Sequence, residues 1–444
     1  MIYYLVEDKF AYFPVNKLIL QMHKQLNRKD IENIISTEKC LLEEYDSELI
    51  RKPDDKFTFE TLYPYNLGII PTNECNLRCC YCYSETGEKP RKRLTEKQVE
   101  NYINLLIRNA IIHSKVKKEP VEAKLVITGG GEPTFQWELF QFIVEFFSSQ
   151  CALHNLKKKI VLVTNGIMNA AHVEYVINNI DQINLSADGF PEIQDVQRPT
   201  VSGEGSFKYL ERFIRICERN KKIISVRATV LADNFLKMTE ICKFFFANYS
   251  NISTIHFEPL FYVGRGKRLD DNHYQNLMQF LNLYIDAYCY VHKHFPGRNL
   301  YNSSFHYQLK EYFCSASIGL NPWLHMDGNI LPCTDYINEP EFSIGKVTEQ
   351  GISINRSNKK LIRNLNQCKQ CFAFYHCGGG CPHNIEKDEN GKNLSPISEA
   401  YCKMITEYWK RAIKSVGEGK AFCDIESDMV LENDLFKAYR VINK

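Results

Sequence analysis

The sequence predicts an α/β fold built on a parallel sheet, with a small α+β unit before it and a metal-held region after it. From about residue 66 to residue 300, strand-sized apolar runs alternate with stretches of 3.6-residue periodicity, the signature of repeated βα units. Between Cys314 and Cys402 the alternation gives way to cysteines and to the consecutive Gly378, Gly379 and Gly380. With 444 residues, 44% hydrophobic and 24% charged, the chain is globular and long enough for about three domains, or for one barrel of about 250 residues with smaller partners.

Residues 1–65 open with apolar runs at 2–6 and 10–13, followed by helical patterns over 18–26 and 31–42. The polar segment 51–56, with Pro53, reads as a linker. Strands are then predicted at 67–70, 125–127, 160–163, 183–185, 223–230 and 255–257. A capping box of Thr95 and Gln98 starts a helix with Val99, Ile103, Leu106, Ile107 and Ala110 on one face. A second helix after Pro133 and Thr134 is expected to bury Phe135, Leu139, Phe142, Ile143 and Phe146. A helix near 272–294 ends the alternation, and residues 406–444 read as a helix and tail without a motif. Polar or special residues follow the strands at 128–132, 164–166, 186–189 and 258–259, where parallel α/β barrels build their active sites.

Lys and Arg exceed Asp and Glu by 55 − 53 = 2, which argues against nucleic acid or an anionic membrane as the main partner. No apolar run approaches the ~20 residues of a spanning helix and no signal peptide is visible, so the expected location is the cytoplasm. The composition's outlier is its 17 cysteines. In a large leaderless chain these are expected to be reduced thiols that bind metal or do chemistry.

Cys75, Cys79 and Cys82 form a Cys-x3-Cys-x2-Cys array after the first predicted strand. Three thiolates leave one iron of a four-iron four-sulfur cluster open for a bidentate ligand, whereas a zinc site would need a fourth nearby ligand. Cys80 is an alternative member of the trio. The run Cys75-Asn-Leu-Arg-Cys79-Cys80-Tyr81-Cys82, followed by Gly130-Gly131-Glu132-Pro133 after the second strand, resembles the signature of the radical S-adenosylmethionine (radical SAM) enzymes. The resemblance implies a partial (β/α)6 TIM-like barrel over residues 66–300. It also implies a cluster whose open iron chelates the amino and carboxylate groups of S-adenosylmethionine, and an external electron donor such as flavodoxin or ferredoxin. Tyr81 and Leu260 then match adenine contacts, Gly130, Gly131 and Glu132 the ammonium site, and Ser186 and Arg198 the hydroxyl and carboxylate contacts. Glycines admit close backbone carbonyls, and a buried carboxylate at Glu132 would hold an ammonium.

Cys314, thirteen residues, Gly328, four residues and Cys333 precede Cys368-x2-Cys371-x5-Cys377-x3-Cys381, with Cys402 beyond. This array resembles the seven-cysteine SPASM domain and places one at residues 310–405; a zinc ribbon is the competing reading of Cys368 to Cys381. By the resemblance, Cys314, Cys333 and Cys381 bind one auxiliary cluster and Cys368, Cys371, Cys377 and Cys402 the other, for three four-iron clusters in all. The architecture implies a maturase of a ribosomally made peptide, forming a thioether or carbon–carbon crosslink, with residues 1–65 recognising the leader. Peptide epimerisation and sulfatase maturation to formylglycine are the alternatives. Sulfatase maturases carry an eighth cysteine where this chain has Gln308, and an aspartate base where it has Thr334; Asp335, one residue on, is the remaining candidate.

The basic run of Arg91, Lys92 and Arg93 reads as a solvated loop or a contact for an acidic leader. His256, His306 and His325 receive no role. Cys40, Cys151, Cys217, Cys242, Cys289 and Cys423 lack sequence partners and are expected to be small buried side chains.

Overall fold

The computed structural model describes residues 4–6, 10–13, 18–22, 29–30, 64–260, 263–269, 277–305, 313–314, 316, 321–354, 368, 371–381, 383, 399–418 and 440–443. At the N-terminus β1 (Tyr4–Val6), β2 (Phe10–Phe13) and β3 (Leu18–Gln21) form an antiparallel sheet. The helical pattern expected from residue 18 is therefore corrected over Leu18–Gln21, which is extended and paired with β2. Residues 31–42 and the linker at 51–56 lie outside the described residues.

The central sheet runs through β4 (Asn66–Ile69), β5 (Glu122–Ile127), β6 (Lys157–Thr164), β7 (Gln182–Ser186), β8 (Ile224–Val230), β9 (Ile252–Pro259) and the short β10 (Asn299–Tyr301). Neighbours in this series pair in parallel. A right-handed βα crossover feeds each strand back beside the last, which is why the alternation in sequence becomes this order in space. One side chain in two faces the outer helices: Leu67, Ile69, Leu125, Ile127, Ile160, Leu162, Ile183, Leu185, Val226, Ile255 and Phe257 are all fully buried there. Each such Leu, Ile or Phe contributes about 1.5–3 kcal/mol. The other side chains line the inside of the barrel.

The helix Glu96–Lys117 starts at the expected capping box and buries the expected face. The next, Trp137–Leu153, is registered differently: Phe140, Ile143 and Phe147 lie at the centre of its buried face, while Phe142 and Phe146 are half-buried. Phe135 precedes it in a short 3-10 turn started by Pro133 and is exposed.

Beyond β4 the sheet continues through β11 (Trp323–Leu324), β12 (Asn329–Leu331), β13 (Gly345–Thr348) and β14 (Gly351–Ile354). β11 pairs in parallel with β4, and the rest are antiparallel. The helix Glu399–Gly417 packs Ile413 against Val6, Phe10 and Tyr12 of the N-terminal sheet. The tail contributes β15 (Arg440–Asn443), which pairs in parallel with β3 and was not foreseen.

A side chain at Gly68 would put its Cβ 2.0 Å from Trp323 Cε3. Gly68→Val must therefore push β11 off β4, with an expected loss of about 1–3 kcal/mol. Anaerobic calorimetry would show it as a lowered melting temperature, and an unchanged one would exclude this contact as a determinant of the seam.

Candidate functional site

The loop from Cys75 to Cys82 leaves the carboxyl end of β4 and is stitched to the segment after the helix Pro191–Gln197. Arg78 N donates to Pro199 O (2.7 Å), Cys80 N to Gln197 O (3.0 Å), and Leu77 bridges Thr200. Arg78 Nη1 holds the loop from within, donating to the carbonyls of Cys75 (3.1 Å) and Leu77 (2.8 Å). Cys75, Cys79 and Cys82 are thereby gathered into one electrostatic neighbourhood. Burial pushes the Cys75 thiol up, and Cys79, Glu132 and Cys82 add to it. Burial likewise takes Cys79 to about 12 against the pull of Arg198. Cys82 differs: burial opposes its ionisation, but the hydroxyls of Ser84 and Thr86 hold it below the ordinary thiol value. Cys80 packs against the apolar group of Tyr81, Leu231 and Leu260, the two expected adenine contacts among them.

Glu132 follows β5 and is 2% exposed. Its Oε1 accepts from Thr134 N (3.3 Å), Thr134 Oγ1 (2.8 Å) and Thr164 Oγ1 (2.7 Å), and its Oε2 from Asn165 N (2.8 Å). Burial still raises its pKa. Among the described residues no Lys, Arg or His forms an ion pair with it, so this fixed carboxylate lacks a counter-cation.

The glycines beside Glu132 have a reason that sequence reasoning did not supply. Gly131 lies against the chain before Cys75, where a Cβ would fall 2.0 Å from Glu74 O; Gly131 N donates to Thr72 O and Glu132 N to Glu74 O. Gly130 O accepts from both Ser84 Oγ and Thr86 Oγ1, and Gly129 O from Tyr83 Oη. The Gly130 carbonyl, expected to face an ammonium, is thus already taken by two hydroxyls.

Arg198 is buried, unlike the surface charge its sequence position alone suggests. Its Nε and Nη2 form a double contact with Asp188 (2.8 and 3.0 Å), and it lies over the Tyr81 ring. Asp188 is fully buried and also accepts from Tyr81 Oη (2.5 Å) and Thr229 N (3.0 Å). This hub was missed in sequence, although it stands in the quoted run 184–189. Ser186 ends β7 and is half-buried.

In the C-terminal region Cys333 is half-buried, and desolvation raises its thiol, with Asp335, Cys381 and Cys314 adding repulsion. Desolvation raises Cys371, with Cys402 adding to it, and raises Cys402, with Glu399 adding to it. Cys371 N donates to Cys368 O, and Cys377 ends a helical turn. Gly378, Gly379 and Gly380 then follow with φ of 61°, 80° and 76°, a left-handed run open only to glycine. Asp335 stands beside Cys333 and also near Tyr83 of the first loop.

Among the described residues no three His, Cys, Asp or Glu side chains converge tightly enough for a single ion. A multi-iron cluster instead takes thiolates set around its periphery, and grouped cysteines are the kind of donor set such a cluster takes. Cys151, Cys217 and Cys242 are buried, as expected. Cys289 is half-buried and disulfide-bonded, which corrects its reading as a reduced thiol; Cys40, Cys423, His306 and Gln308 lie outside the described residues. No helix among the described residues is long and apolar enough to cross a membrane.

Residues 69–244, which contain the thiol loop, Glu132 and Asp188, match the Radical SAM superfamily. The chain carries a radical SAM domain. It is an enzyme, and its domain type uses S-adenosylmethionine and a four-iron four-sulfur cluster. Over 378 residues, 79% of this chain and 96% of the relative, it is 24% identical to a cysteine-type anaerobic sulfatase-maturating enzyme of Clostridium perfringens. The fold is similar to that of anSMEcpe bound to AdoMet and a Kp18Cys peptide, with a TM-score of 0.62 and 20% identity over 80% of this chain and 99% of that one. It is similar also to Streptococcus suis SuiB bound to the precursor peptide SuiA, with a TM-score of 0.51 and 16% identity over 76% of each chain.

Two substitutions test the radical SAM site. Glu132→Gln keeps the shape but removes the charge, and is expected to weaken S-adenosylmethionine binding by about tenfold or more, read by anaerobic equilibrium dialysis. Asp188→Ala strands Arg198 in the interior and is expected to cost about 3–5 kcal/mol of stability, read by thermal unfolding.

Proposed function

We propose that this enzyme is a maturase of a ribosomally made peptide, forming a thioether or carbon–carbon crosslink. The observation that carries the reading is the placement of Tyr83, the residue after Cys82, which packs against Met326 and Ile337 of the C-terminal region, accepts at its carbonyl from Asn338 Nδ2 (2.7 Å), and lies within the electrostatic reach of Cys333 and Asp335. A second thiol group thus lies close to the first cysteine loop, where it would bind substrate or accept the electron left on it. The peptides bound in the similar anSMEcpe and SuiB structures support a peptide as substrate.

Cys75, Cys79 and Cys82 would hold the radical-generating cluster. Glu132 would hold the cofactor's ammonium, Tyr81 and Leu260 would flank its adenine, and Ser186 and Arg198 would lie toward its carboxylate. When bound and reduced by an external donor such as flavodoxin or ferredoxin, this pair supplies a 5′-deoxyadenosyl radical that abstracts hydrogen from the substrate. The chain's own part is orientation and exclusion of water. Cys314, Cys333 and Cys381 would hold one auxiliary cluster, and Cys368, Cys371, Cys377 and Cys402 the other, within a SPASM domain over residues 310–405. Residues 1–65 would bind the leader by adding a strand along β1, an edge of the N-terminal sheet, since β15 covers the other edge at β3.

Formylglycine formation is the second reading. Asp335 favours it, because an acid does stand beside Cys333 although position 334 is threonine. The product decides: crosslinking removes two hydrogens from the peptide, and epimerisation in heavy water adds deuterium without another mass change. Formylglycine appears instead as an aldehyde captured by hydrazide. The test uses the short open frames beside the gene as peptides with the anaerobically reconstituted enzyme. The three-cluster reading predicts about twelve irons per chain, falling to about eight when Cys75, Cys79 and Cys82 are all replaced by Ala, with loss of 5′-deoxyadenosine.

A further inference from the structure

Parallel register places Ser186 of β7 beside Arg227 of β8, Arg227 beside His256 of β9, and His256 beside Tyr301 of β10. These residues form one rung across the barrel. Val226 and Ala228 are fully buried against the helices, so Arg227 between them points to the inside, where it is exposed. Its charge is felt there by Glu258, His256, Tyr301 and Tyr83.

Two of the nearby acids already have their partners, and the third, Asp335, forms no ion pair with Arg227 and stands beside Cys333. Glu258 accepts from His256 Nε2 (2.6 Å), Ser303 N (2.9 Å) and Asn302 Nδ2 (3.4 Å). Burial opposes its ionisation, yet His256 and Arg227 outweigh that and hold its carboxyl at about 2. Asp188 is saturated by Arg198, Tyr81 and Thr229. His256 is committed to Glu258, and burial keeps it below its ordinary value against the pull of that acid. Arg227 itself has no ion pair and no side-chain hydrogen bond among the described residues. Among the described residues Arg227 is therefore an uncommitted guanidinium fork on a rigid strand, next to Ser186 and on the inside of the barrel.

We propose that Arg227 receives a carboxylate of the substrate, so that the peptide carries an acidic side chain or its C-terminus within reach of the position where hydrogen is taken. The fork matches a carboxylate bidentately, and the partly desolvated wall strengthens the contact. This assignment rests on the peptide-maturase reading for the word peptide, but not for the carboxylate.

The test is anaerobic calorimetry on the reconstituted enzyme loaded with S-adenosylmethionine, titrated with N-acetylglutamate N-methylamide and with its glutamine counterpart. The glutamate compound is expected to bind about tenfold more tightly, and to lose that advantage in Arg227→Met while keeping part of it in Arg227→Lys. N-acetylalanine, whose only carboxylate is terminal, separates the two sources: tighter binding than the glutamate compound assigns the site to a C-terminus. Equal binding of the glutamate and glutamine compounds, or glutamate binding undiminished in Arg227→Met, overturns the proposal. So does loss of S-adenosylmethionine binding in Arg227→Met, which would put Arg227 on the cofactor. Arg227-dependent binding of succinate with none of the peptide analogues would support the carboxylate site and overturn the peptide reading. Iron content and melting temperature of each variant confirm that the compared proteins are folded.

Discussion

A carboxylate sealed into a protein without a cation is costly, and Glu132 is such a group. Hydrogen bonds from Thr134, Thr164 and Asn165 fix its oxygens and partly offset that cost, yet they bring no positive charge. Among the described residues this carboxylate is therefore left electrostatically unbalanced, the state that an ammonium, under the proposed function, would balance. The thiol loop is held next to it by the contacts of Gly131 and Glu132 with Thr72 and Glu74, so the anion and the three thiols share one frame.

The opposite wall is organised around Asp188. Its oxygens draw together Arg198 from after a helix, Tyr81 from the thiol loop and the backbone of Thr229 from β8. Because Arg198 also lies near Cys79, the same ion pair that orders this wall moderates the charge of the thiols. Arg198 has one nitrogen, Nη1, outside the contact with Asp188, so occupation by the acid and approach to a further anion are compatible.

Local patterns were legible in the sequence and remote pairings were not. Thr95 and Gln98 cap their helix through contacts within one turn, and the close spacing of Cys75, Cys79 and Cys82 already sets them in one loop, whereas the disulfide at Cys289 has no local signal. By contrast, residues 18–21 become a strand because of β2 and because β15 arrives from the far end of the chain, and no local pattern announces that. Phe135 was misplaced because Pro133 starts a separate turn ahead of the helix and shifts its buried face. Asp188 was overlooked since its partners come from three separate segments. Arg227 looks like an ordinary alternating strand residue until register sets it beside Ser186 and His256.

Trp323 lies across Gly68, and the hydrogen bonds of Gly68 N to Pro322 O and Ile70 N to Leu324 O run directly under it. The barrel and its C-terminal extension therefore meet within a single continuous sheet rather than at a hinge. Since the chain runs from β4 into the loop that carries Cys75, any change that loosens β11 from β4 would also slacken the strand from which the first cysteine loop departs.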